Sequence, residues 1–216
     1  VLEQDPNKKK SVTLYRSKNE IGGLEFTYMF WYYVDDWAYN YGKYKHILHK
    51  GSFSGKYLMA PGVFLDKIEN NLIFVMNTYN NRDDVTPIES KGIYEVAKIK
   101  GMPLNKWVHI AMCVNQTSLD VFVNGYLKLS HKFKNIPRQN YGNLYVNGPY
   151  DLFDFTGKEK NPSPGFSGFV SNMKYYNYYI SQTEIYNSLK KGPSPDLGSN
   201  TLNMDDKPPY LNSKFW

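Results

Sequence analysis

The feature that most constrains this chain is a period of two that keeps returning. In "GLEFTYMFWYYVDDW" one parity carries Leu24, Phe26, Tyr28, Phe30, Tyr32 and Val34, and the other carries Glu25, Thr27, Met29, Trp31, Tyr33 and Asp35. Side chains alternate across a strand, so this segment has one strongly apolar face and one mixed face. Further short runs rich in Val, Ile, Phe and Tyr lie at 45–50, 57–59, 71–78, 92–99, 107–114, 119–124, 126–133, 143–147 and 166–178. Strands of this length, spaced by turn residues, predict an all-β protein built as an antiparallel two-sheet sandwich. The clearest unit is 107–130. One strand leads through Asn115-Gln116-Thr117-Ser118 into a return strand, and Asn124-Gly125 supplies the positive φ angles of a tight turn into a third. Cys113 falls mid-strand among Ile110, Ala111, Met112 and Val114, and reads as a small core residue.

One helix is expected, short and near the C-terminus. Ser181-x-x-Glu184 forms a capping box, Ile185 and Leu189 are four apart, and Gly192-Pro193 ends the segment. The organisation expected is a basic N-terminal arm over 1–19, one domain over 20–192, and a Pro-rich extension over 193–216. Tyr210, Phe215 and Trp216 in that extension suit packing on the domain or on a partner. Loops fall at 36–44, 78–91 and 148–165, and loops of the longer kind often carry function.

Composition narrows the classes. The 216 residues suffice to bury roughly 70% of the unfolded surface without a disulfide, and the single cysteine makes an internal one impossible. No run is long and apolar enough to span a bilayer, and none reads as a signal peptide. The chain begins at Val1 rather than Met, which leaves room for an upstream anchor or leader that has been removed. The net charge of +6 includes Lys8-Lys9-Lys10 and Lys190-Lys191 and reads either as a basic surface with a flexible N-terminal arm or as attraction to acidic partners, and no nucleic-acid-binding motif accompanies it. Asn115-Gln116-Thr117 matches the glycosylation pattern, a short pattern that also arises by chance. His46 and His49 are three apart, which on a regular strand puts them on opposite faces and argues against a shared metal.

Four segments in order carry a family resemblance. They are "FTYMFWYYVDDW"; "ILHKGSF"; Trp107-Val108-His109-Ile110-Ala111 with its partner Val121-Phe122-Val123-Asn124-Gly125; and "GFSGFVSNMKYYNYYISQTEI". Together they resemble the laminin G-like branch of the concanavalin A-like lectin/glucanase superfamily. The fold this implies is a two-sheet jelly roll, and the function it implies is recognition of glycans or proteins. "VDDWAYNYGKYKHILHKG", "LYVNG" and the trailing "PPYL…W" look closest to laminin G-like proteins of large DNA viruses. That likeness implies a virion-associated protein with other virion proteins among its partners. The alternative is a structural particle protein that uses the sandwich only for protein contacts.

The glucan-cleaving members of the superfamily use a Glu-x-Asp-x-x-Glu strand, which sets two carboxylates roughly 5 Å apart in a retaining enzyme. Glu3-x-Asp5 lacks the third carboxylate, Asp151-x-x-Asp154 falls in a loop, and Asp66 and Glu69 flank a turn. The expectation is a protein that is not an enzyme, the alternative being a glycoside hydrolase whose carboxylate pair is assembled from distant segments. The resemblance also implies calcium at the sandwich rim, where hard oxygen ligands gather in loops. The local candidates are Asn77, Asn80, Asn81, Asp83 and Asp84, although Arg82 between them opposes a dense ion cage. A sugar needs an aromatic face flanked by amide or carboxylate groups. Asp36, Trp37, Tyr39, Asn40, Tyr41 and Tyr44 offer both, unless the rings serve only to pack their loop.

Overall fold

A computed structural model describes residues 11–14, 16–21, 23–52, 59–79, 93–149 and 163–194. The strands in chain order are β1 (Ser11–Val12), β2 (Lys18–Glu20), β3 (Gly23–Asp36), β4 (Lys45–Gly51), β5 (Met59–Leu65), β6 (Leu72–Thr78), β7 (Ile93–Ile99), β8 (Trp107–Asn115), β9 (Ser118–Val123), β10 (Tyr126–Lys132), β11 (Asn143–Val146) and β12 (Ser167–Tyr176). One helix, α1 (Gln182–Lys190), follows. The first sheet runs β1-β11-β4-β5-β6-β7 and the second β10-β9-β8-β3-β12, with β2 also paired to β3. Every strand pairing within them is antiparallel. Within the stretch expected as an arm, β1 pairs with β11 and β2 with β3.

The alternation in β3 sorts its residues as the sequence indicates. Leu24, Phe26, Tyr28, Phe30, Tyr32 and Val34 enter the core between the sheets, facing Ile47, Val63, Leu72 and Phe74 of the first sheet. Met29 and Trp31 point the other way, into clusters that also hold Ile185 and Leu189 of the helix. The helix therefore covers the outer face of the second sheet. Two bonds fix its approach. Thr27 donates through Oγ1 to the carbonyl of Tyr178, and the same Oγ1 accepts from the amide of Ile180.

The meander over 107–132 is built around Asn124. Asn124 has φ 49° and Gly125 φ 83°, and Val123 pairs with Tyr126 across them. The side-chain Oδ1 of Asn124 accepts from the amide of His109 at 2.9 Å, and the Asn124 amide donates to the His109 carbonyl at 2.9 Å. The Asn-Gly turn thus clamps the Trp-x-His strand. A β-carbon on Gly125 would lie 3.1 Å from Leu189, so the turn also lets the helix approach closely.

Two sequence expectations need correction. The strand expected at 57–59 is β5, which runs on to Leu65 in the interior of its sheet. Pro61 lacks an N–H, and the β4–β5 register shifts between the pairs His49↔Gly62 and Gly51↔Met59, which lie on either side of it. His46 and His49 also do not face apart. His46 pairs with Phe64 and Leu48 with Val63, so Ile47 is an extra residue in β4. This bulge reverses the parity, and both imidazoles come to the same face.

Candidate functional site

The loop after β3 is a set of tight turns. The Oδ1 of Asp36 accepts from the Ala38 amide at 2.8 Å, and the Tyr41 amide donates to the Ala38 carbonyl at 3.0 Å. Asn40 takes φ 55° and its carbonyl accepts from Lys43 at 3.2 Å. Gly42, at φ 79°, donates to the Lys67 carbonyl at 3.0 Å and so ties the loop to the β5–β6 turn. A side chain at either left-handed position is favoured only if it is Asn or absent, and those residues stand there.

The four rings then divide. Trp37 is half-buried against the core, and Lys45 places Nζ 4.2 Å from the centre of its ring. Tyr44 is half-buried and carries Lys67 Nζ at 4.5 Å. Each contact is a cation held over an aromatic quadrupole. Lys45 is buried, which lowers its pKa, while Asp36 and Asp66 work in the opposite direction. Tyr39 and Tyr41 instead point outward, 37% and 59% exposed. Asp36 is exposed beside them and Asn40 half-buried. The sequence named all six residues but not the two lysines that occupy Trp37 and Tyr44. The short spacing of Lys45 from the aromatic run was a usable signal, whereas Lys67 arrives from another strand pair.

Of the calcium candidates, Asn77 lies within β6 and is buried; Asn80, Asn81, Asp83 and Asp84 lie outside the described residues. One amide inside a strand does not make a calcium site. Among the described residues no group of three or more His, Cys, Asp or Glu side chains is placed to hold a metal. His46 Nε2 and His49 Nδ1 are 2.9 Å apart, and His49 Nε2 lies 3.0 Å from the Ser52 carbonyl. Burial lowers the pKa of both, to about 4 for His49. His49 also stacks on Tyr145 with centroids 4.8 Å apart.

Asp66 and Glu69 are brought together on one amide, since Asn71 Nδ2 donates to Asp66 Oδ2 at 3.0 Å and to Glu69 Oε2 at 2.6 Å. Asp66 also pairs with Lys98 at 2.6 Å. Burial alone would raise its pKa, but hydrogen bonds from Lys98, Asn71 and the Lys67 amide hold it below the ordinary value. The group is arranged as a clasp for the β5–β6 turn. Cys113 is fully buried under the helix, and burial pushes its thiol up to about 12, far from the range of a nucleophile.

Two antiparallel sheets packed face to face, with a helix on one outer face, define a β-sandwich of the lectin-like class. The chain belongs to the concanavalin A-like lectin/glucanases superfamily, whose laminin G-type family model matches residues 7–186. Among curated proteins none matches it in sequence. Similar solved structures include the binding domain of botulinum neurotoxin DC in complex with rat synaptotagmin II, at 12% identity and TM-score 0.53, covering 78% of this chain and 36% of that one. The same domain in complex with SialylT has 12% identity and TM-score 0.56, covering 85% and 39%. The serotype G binding domain has 14% identity and TM-score 0.53, covering 82% and 37%. The chain thus spans less than two fifths of the length of these structures, and at such identities the likeness is one of fold. No helix among the described residues is long and apolar enough to cross a membrane.

Proposed function

We propose that this chain is a non-catalytic recognition module that binds glycan, or a glycosylated surface, through the loop joining β3 and β4. The observation that carries the reading is that Tyr39 and Tyr41 are exposed on a loop whose backbone is pinned by hydrogen bonds and by its tie to Lys67. A fixed, exposed ring gives a sugar an apolar face to lie on at little cost in ordering, and Asp36 and Asn40 supply polar groups at its edge. Trp37, whose ring already faces Lys45, serves in this reading as the support of the platform. The family membership and the binding domains of similar fold, solved with rat synaptotagmin II and with SialylT, agree with a binding role. A viral particle surface as its setting rests on the subgroup resemblance of "VDDWAYNYGKYKHILHKG" and "LYVNG" alone.

A glycan array probed with the purified chain, once with calcium and once with chelator, tests the reading. The expected result is a set of hits sharing one sugar motif, with Tyr39→Ala and Tyr41→Ala each weakening binding about tenfold. Hits that persist in chelator would remove calcium from the site. Silence in both runs, or hits unchanged by both substitutions, would overturn the assignment.

A further inference from the structure

The end of the sandwich remote from the β3–β4 loop carries a different surface. The β5–β6 turn holds that loop through Gly42 and Lys67, and β6 then runs roughly 20 Å away from it. At its far end Thr78 bridges Pro137, in the segment that crosses from β10 of one sheet to β11 of the other. The Tyr79 amide donates to the Ile136 carbonyl at 2.9 Å, and the Arg138 amide donates to the Asn77 carbonyl at 2.8 Å. Pro137 is buried, while its neighbours stay outside. Ile136 is 55% exposed, Tyr79 51% and Tyr141 78%. The backbone under Ile136 and Tyr79 is thus held in a ladder, and their exposure is built into the fold.

Each of these rings is paired with an arginine. Arg138 Cζ lies 5.7 Å from the centre of the Tyr79 ring, and Arg16 Cζ lies 5.1 Å from that of Tyr141. Arg16 also donates to the Tyr141 hydroxyl at 2.7 Å and to Gln139 Oε1, which ties it to the crossing segment. Lys134 adds an exposed cation to the same segment. Residues 133–142, "FKNIPRQNYG", contain no Asp or Glu. The carboxylate packed against them is Glu95. It accepts from the amides of Lys134 and Asn135, and its side chain is only 8% exposed. Among the described residues no ion pair neutralises Arg16, Lys134 or Arg138.

Single apolar side chains are common on a protein surface and carry no message. Here an isoleucine and two tyrosines are interleaved with uncompensated cations along one braced segment. That is the chemistry of a protein–lipid interface. Tyrosine rings sit at headgroup level, an aliphatic tip reaches the acyl boundary, and Arg and Lys meet acidic headgroups over their apolar stems. Side chains more than half exposed stand proud of the surface rather than shelter in a groove, which suits a planar partner better than a peptide. We propose that this end of the sandwich docks on an anionic lipid bilayer, with Tyr79, Ile136 and Tyr141 entering the headgroup layer and Arg16, Lys134 and Arg138 facing acidic lipids. No residue of the β3–β4 loop takes part, so the docking stands or falls independently of the glycan reading above.

Co-flotation of the full chain with vesicles decides it, using phosphatidylcholine alone and phosphatidylcholine with roughly one lipid in three replaced by phosphatidylserine. Capture by the anionic vesicles is expected at low salt, with release as salt rises and little capture by phosphatidylcholine alone. Arg138→Gln should weaken capture about fivefold, and Ile136→Ser about threefold or more. Neither side chain is in the core, so thermal unfolding should be unchanged in both variants. Lys8-Lys9-Lys10 is another basic segment, and the two variants separate its attraction from that of the patch. Absence of capture, equal capture by the two kinds of vesicle, or capture unchanged in either variant would overturn the proposal. Binding to soluble polyglutamate that falls in Arg138→Gln and ignores Ile136→Ser would also overturn it and reassign the surface to an acidic protein.

Discussion

A β-carbon at Gly168 would lie 1.9 Å from the carbonyl oxygen of Tyr33, and the residue takes φ 148°. Both facts exclude a side chain, because L-residues rarely adopt that backbone and the neighbouring strand cannot retreat without breaking its ladder. The β12–β3 register shifts between Ser167 and Gly168, so this glycine lets the closing strand bend. Gly168→Ala should therefore lower stability by about 3 kcal/mol or more in urea unfolding. A change below about 1 kcal/mol would show that the strand relaxes around it. At this scale the sequence is least legible. "KHILHKG" sets two apolar residues side by side, which interrupts the alternation, but nothing local marks Ile47 rather than Leu48 as the extra residue that turns His46 and His49 to one face. The aromatic run 37–44 was legible as a cluster of rings on one loop. Which rings were already occupied was not, because that depends on where Lys67 lands after the sheet is assembled.

Elements were read more surely, because their signals are local. The capping box is present as spelled. The Glu184 amide donates to Ser181 Oγ at 3.3 Å, and the Ser181 amide donates to Glu184 Oε2 at 2.9 Å. Gly192 follows the helix at φ 67°, with its amide on the Leu189 carbonyl. Ser181→Ala leaves the Glu184 amide without its acceptor and should cost about 1 kcal/mol. Leu189→Ala strips the contact with Trp31 and Trp107 and should cost about 2–4 kcal/mol. Paired urea titrations measure both. A Ser181→Ala loss as large as that of Leu189→Ala would mean that the cap, rather than the apolar seam, holds the helix on the sheet. The elements that escaped reading have physical reasons. β1 and β2 have two and three residues, too few for a period to show. β5 contains Pro61-Gly62, which reads as a turn until neighbouring strands on both sides supply the ladder.

For the molecule as a whole, three histidines are buried neutral, and this sets a pH dependence. His49 and His109 are drawn down to about 4 by burial, His109 also by Lys174 nearby, and His46 lies well below its ordinary value through burial and the neighbouring His49. The unfolded chain binds protons at these rings near pH 6.5, before the folded chain does. Stability is therefore fully present above about pH 6.5 and is lost as pH falls towards about 4. A displacement from 6.5 to about 4 is worth up to roughly 3 kcal/mol per histidine. Asp66 does not contribute in this window. Its folded pKa is depressed, so its stabilisation persists until the pH falls below the ordinary carboxylate range. Urea unfolding between pH 8 and 4 should show a plateau above 6.5 and then a fall. His109→Phe should remove part of that slope, because the phenyl ring keeps the edge contact with Trp31 and cannot take up a proton. A slope unchanged in His109→Phe would mean that the loss comes from other groups. The dependence follows from the architecture. A sandwich covered by a helix on one outer face, and buried also on the outer face of the other sheet where His46 and His49 meet, leaves these imidazoles no water with which to share a charge.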